Sequence, residues 1–111
     1  MEDRLPGHYR FEKKKREQYI QALEALGETL KTQGPLDLKM THLVQLAAAV
    51  AIRSEGAVHS HVRQALSNGA TCEDVYHTIV LLTSTVGFPT VSAALSWAED
   101  LMLESDRAPA S

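Results

Sequence analysis

Apolar positions recur along the chain with the period of a helix. Within residues 9–33, Tyr19, Leu23, Leu26 and Leu30 follow one another at spacings of four, three and four, which lays them on one helical face. Gly34-Pro35 closes that helix, because proline disfavours helical geometry in the residue before it and glycine accepts a left-handed cap. Asp37 is placed to cap a second helix running to about Ser54, and its centre, from Leu43 to Ile52, is apolar nearly all round apart from Gln45. Such a helix belongs in the middle of a bundle, and its alanines let neighbours approach closely, within a subunit or across an interface. Glu55-Gly56 predicts a joint, followed by a third helix over 57–67 that Asn68-Gly69 ends. Thr71 opens a fourth, with Glu73 and Asp74 in its first turn and Val75, Ile79, Leu82 and Val86 as its core face. Gly87-Phe88-Pro89 breaks it, and a last helix over 89–103 buries Val91, Leu95, Ala98 and Met102 while turning Glu99, Asp100 and Glu104 to solvent. No stretch alternates with the period of a strand, so the predicted fold class is all-α, a compact bundle of about five to six helices.

Composition fits that picture. At 111 residues and 44% hydrophobic content one core is feasible, and the expectation is a single domain over 1–111 with an arm at 1–8 and a tail at 105–111. A net charge of -3 offers no concentrated positive field, so neither nucleic acid nor an anionic membrane surface is an expected partner. The basic run Lys13-Lys14-Lys15-Arg16 sits among Glu12, Glu17, Glu24 and Glu28 and reads as a solvated helix face. The first residues are polar, unlike a secretory signal, and the longest apolar run is about half the length a bilayer requires; a cytoplasmic location follows as the expectation. Cys72 is the only cysteine, which rules out a dithiol/disulfide cycle within one chain.

Five histidines and several carboxylates are the candidates for chemistry. His59 and His61 lie two apart, so on one helix they point about 200° away from each other and cannot share an ion; no metal site and no cofactor is expected from them. Glu55 and His59, four apart, read as a surface pair. His42 and His61 each sit among apolar helix residues, where an imidazole must find a hydrogen-bond partner or line a cleft. Cys72 follows a helix cap, where the dipole can activate a thiol, but a first-turn residue there is usually just exposed.

The order of these elements carries a further signal. Leu36-Asp37-x-Lys39, the small-residue helix, His61-Val62-Arg63-x-Ala65-Leu66-x-x-Gly69-Ala70-Thr71, Gly87-Phe88-Pro89 and a final Ala93-Ala94 together resemble the carboxymuconolactone decarboxylase and alkylhydroperoxidase D-like family over residues 36–104. The resemblance implies that family's helical bundle and a homo-oligomer, a trimer or hexamer. It also implies that the two cysteine positions of the peroxidase members fall on Ser54 and Ala57, and that their proton-relaying glutamate falls on His42. Thiol peroxidase activity is therefore not expected. The decarboxylase branch works without cysteines, and Glu55 and His61 match its Glu-x5-His spacing.

Two readings follow. In the first, the protein is a carboxymuconolactone decarboxylase-like acid/base enzyme without a cofactor, acting on a small lactone or carboxylic acid. His61 is then the acid/base, Glu55 its orienter and His42 a second proton carrier, and either Arg53 or Arg63 is the nearest cation for a substrate carboxylate. In the second, it is a non-catalytic oligomeric accessory protein that kept the fold after losing the thiols.

Overall fold

A computed structural model describes the backbone of residues 7–107 and the side chains of residues 12–105. Its six helices, with no strand among the described residues, are α1 (Gly7–Lys31), α2 (Leu38–Ala51), α3 (Glu55–Ser67), α4 (Cys72–Val80), α5 (Thr83–Val86) and α6 (Phe88–Arg107). The chain divides into two compact units, residues 1–35 and 36–111.

The first unit is α1. Tyr19, Leu23, Leu26 and Leu30 share one face of it, as their spacing requires, and all four are exposed. Past Lys31 the backbone bonds span three residues instead of four, Thr32 N–H to Thr29 and Gln33 N–H to Leu30, and Gly34-Pro35 lies outside the helix. Of the predicted arm, residues 1–6 lie outside the described residues.

The second unit is built on the α2–α3 hairpin, with α4 and α6 packed against it. Asp37 caps α2 by accepting from the Met40 N–H at 2.8 Å. The helix ends sooner than its apolar run, at Ala51, because Arg53 takes a left-handed backbone with φ 57°. The Ser54 N–H then reaches back to the Ala49 carbonyl and the Arg53 N–H to that of Val50. This is the glycine-type helix ending with arginine in the glycine's place. At the end of α3 the same pair of bonds recurs around Gly69, φ 99°, where no side chain is strained. Glu55-Gly56 is no joint: Ser54 caps α3, and both residues belong to its first turn.

The core is made of small and branched residues: Leu46, Ala49 and Val50 of α2; Val58, Val62 and Ala65 of α3; Val75 and Ile79 of α4; Val91, Ala94 and Ala98 of α6. Ala49, Ala65, Ala94 and Ala98 are buried within it. Leu95 and Met102 are only half-buried, and Ala94 takes the fully buried place between Val91 and Ala98. Thr71 opens α4 with a reciprocal cap, its hydroxyl accepting from the Asp74 N–H and the Asp74 carboxylate accepting from the Thr71 N–H at 2.9 Å. That backbone N–H holds the Asp74 carboxyl below the usual carboxylate range, with the Thr71 hydroxyl and the charges of Lys39 and His77 assisting against desolvation. The predicted fourth helix is interrupted after Val80. The Thr83 hydroxyl donates to the Val80 carbonyl at 2.7 Å, competing with the helical ladder, and α5 begins anew. The final helix outlasts the expected end at 103 and continues to residue 107. No described helix is long and apolar enough to cross a membrane.

Candidate functional site

His42 lies in the core-facing stripe of α2, four residues before Leu46 and seven before Ala49, and is buried to 1% exposure. A polar ring in such a stripe requires a partner, since an imidazole stripped of water without a hydrogen bond is costly. His61 provides it. It sits at the edge of the buried face of α3, between Val58 and Val62, and is half-buried. The two Nδ1 atoms are 3.2 Å apart. The ring centroids are 5.4 Å apart with planes inclined by 33°, so the rings meet nitrogen to nitrogen rather than face to face. One Nδ1 therefore donates and the other accepts, and each ring fixes the tautomer of its partner.

Glu55 is turned elsewhere. It is the first residue of α3, its side chain is 58% exposed, and its carboxylate lies 3.9 Å from Nε2 of His59. Six helical residues correspond to about 240° of rotation and about 9 Å of rise, so Glu55 and His61 leave α3 in different directions. The Glu-x5-His spacing thus brings the glutamate to His59, with which a spacing of four naturally pairs it. Of the three residues singled out in the sequence, the structure unites His42 with His61 and sets Glu55 on the helix surface.

The positions matching the family's cysteines have a structural role here. The Ser54 hydroxyl accepts from the Ala57 N–H at 3.4 Å, so the first of them caps α3 by bonding the second, in that helix's first turn. Nη1 of Arg53 donates to the Thr90 hydroxyl at 2.8 Å, tying the α2–α3 turn to the first turn of α6. Arg63, two residues past His61 and so on another side of α3, lines an open cleft of about 400 Å³ with Leu66, Ser67, Leu101 and Glu104. Sγ of Cys72 lies 3.6 Å from the Met102 carbonyl, beside a shallow cleft of about 290 Å³ that includes Tyr76 and Glu99.

Two features escaped the sequence. Thr90 anchors Arg53, which no local pattern announces. Gln45, which read only as an interruption of an apolar run, carries a buried side-chain oxygen that has no hydrogen-bond partner in the protein. A polar residue inside an apolar helix was the available signal for the latter.

The sequence profile of the carboxymuconolactone decarboxylase family matches residues 17–100, most of α1 included. The chain belongs to the carboxymuconolactone decarboxylase family. Among solved structures, it is similar to the apo form of a carboxymuconolactone decarboxylase family protein from Legionella pneumophila, with a TM-score of 0.69 and 24% identity over 80% of this chain and 82% of that one. At that identity the likeness is one of fold. No curated protein matches the sequence. Family membership extends the relationship into α1, beyond the residues 36–104 whose motifs suggested it.

Proposed function

We propose that this family member is an acid–base catalyst acting on a small lactone or carboxylic acid, with His61 transferring the proton and His42 as its partner. The observation that supports this is the 3.2 Å contact between a fully buried and a half-buried imidazole. His42 takes the part that a carboxylate plays in other histidine relays. When Nδ1–H of His61 donates to His42, Nε2 of His61 holds a lone pair and serves as a base. On accepting a proton it becomes an imidazolium whose charge His42 shares through the common hydrogen bond. The singly protonated pair then delivers that proton from Nε2 to carbon after carbon dioxide leaves a substrate carboxylate, and the neutral pair is reprotonated from solvent, so each turnover consumes one proton. Glu55 is not needed in this scheme. Ser54 and Ala57 provide no sulfur, and Cys72 has no second thiol in the chain, so peroxide reduction by a dithiol cycle is not part of it.

The test is to incubate the protein with a panel of carboxylated lactones and follow both carbon dioxide release and ligand-induced thermal shift. Turnover or stabilisation by one class, abolished in His61→Gln with folding retained, supports the reading. Equal behaviour of the wild type and His61→Gln toward every ligand overturns it in favour of an accessory role.

A further inference from the structure

The apolar side of α1, made of Tyr19, Leu23, Leu26 and Leu30 with Ile20 beside them, is exposed. Its spacings of four, three and four are those of a heptad seam, with Leu23 and Leu30 at position a and Tyr19 and Leu26 at position d. Arg16 and Gln33 continue the seam by one layer at either end. A stripe that repeats every 3.5 residues suits a second helix running alongside at a small angle, since only then does each seam residue keep facing the partner.

Gly27 adds an independent observation. It stands inside α1, where glycine is less stable than alanine, its φ is not positive, and a Cβ built on it would meet nothing within 4 Å. It occupies position e, on the flank of the seam. When two copies of α1 pair antiparallel, a faces d and e faces e: Leu23 meets the partner's Leu26, and Tyr19 meets the partner's Leu30. Ile20 then covers the partner's Gly27, so an exposed branched side chain fills the space that the glycine leaves open. A parallel pair would set Gly27 against Ala22, Ile20 against Lys15, and Arg16 onto Arg16 within the seam. Charge favours the antiparallel pair as well. It puts Arg16 beside the partner's Gln33 and brings the basic run at 13–16 to the carbonyl end of the partner's helix, the half that carries Glu24 and Glu28.

We infer that α1 is a docking surface for α1 of a second copy of this chain, the two forming a short antiparallel coiled coil with Ile20 packed on Gly27 at both flanks. Such a contact is self-complementary about a two-fold axis, so it closes on itself and the assembly holds an even number of subunits. A hexamer fits that count and a trimer does not. The inference is independent of the acid–base reading, whose residues all belong to the second unit.

The experiment uses the full chain with Cys72→Ser, so that introduced cysteines are the only thiols. Tyr19→Cys and Leu30→Cys are oxidised each alone and after co-expression. Antiparallel pairing brings these two positions together across the seam and holds identical positions about 16 Å apart, eleven residues at about 1.5 Å each. A disulfide-linked dimer should therefore form in the co-expressed sample and be nearly absent from either variant alone. Light scattering should give an even number of subunits for the wild type, and Leu23→Glu with Leu26→Glu should lower the mass by a factor of about two. Crosslinking of either variant with itself means a parallel pair and overturns the inference. So does a mass that depends on α1 without a crosslink between the co-expressed variants, which means that the stripe lies on the second unit of another copy. A monomeric or trimeric wild type overturns it too. If the double glutamate variant does not fold, the crosslinks and the wild-type mass decide.

Discussion

Nδ1 of His42, fully buried on α2, lies 3.2 Å from Nδ1 of half-buried His61 on α3. The contact joins the two helices that form the centre of the second unit, so it has consequences for stability as well as chemistry.

Replacing His61 by alanine takes the hydrogen-bond contact away from a nitrogen that remains buried, and it should cost about 1–3 kcal/mol. Replacing both histidines by alanine should cost less than the sum of the two single alanine changes, with a coupling of about 0.5–3 kcal/mol in a double-mutant cycle. Urea unfolding of the four proteins measures this; additive single effects would mean that the imidazole contact contributes nothing.

Arg53 pays for its position in backbone strain, φ 57° being unfavourable for a residue with a Cβ, and gains a bond to Thr90. Arg53→Ala loses the bond and keeps the strain, whereas Arg53→Gly loses the bond and relieves the strain. The glycine variant should therefore be the more stable of the two by about 1 kcal/mol. Thermal melts of the pair check the order, and the reverse order would contradict the left-handed ending of α2.

The cap of α4 predicts a pH effect of known sign. Thr71→Ala should destabilise by about 1 kcal/mol at neutral pH. Because the Asp74 carboxyl is held below its usual range, its contribution is present above the ordinary carboxylate pKa and is lost as the pH falls through the depressed value. The stability difference between wild type and Asp74→Asn should therefore shrink on acidification below about pH 4. Denaturant midpoints taken from neutral to acid pH follow it, and a difference that grows instead would exclude this cap.

Val44, Ile52, Leu81 and Phe88 are all more than half exposed in the second unit. Water-exposed apolar side chains in this number suit contact between subunits. Light scattering is expected to give a trimer or hexamer, with Ile52→Glu or Phe88→Glu lowering the mass. A monomer at micromolar concentration refutes the expectation.

The period of the apolar residues was sufficient for the all-α class, and local preferences for the Asp37 and Thr71 caps and the buried Val75, Ile79, Val91 and Ala98, because helix and cap preferences act over three or four neighbouring residues. The motifs around His61 and Gly87-Phe88-Pro89 were likewise sufficient for the family. The resemblance to the decarboxylase spacing, however, linked Glu55 to His61, whereas the rotation of α3 carries that carboxylate to His59, the pair that helical spacing indicated. The partners that matter at the site, His61 for His42 and Thr90 for Arg53, lie 19 and 37 residues away. Their meeting depends on how α2, α3 and α6 pack, a long-range outcome of fitting small core residues together that no local period encodes.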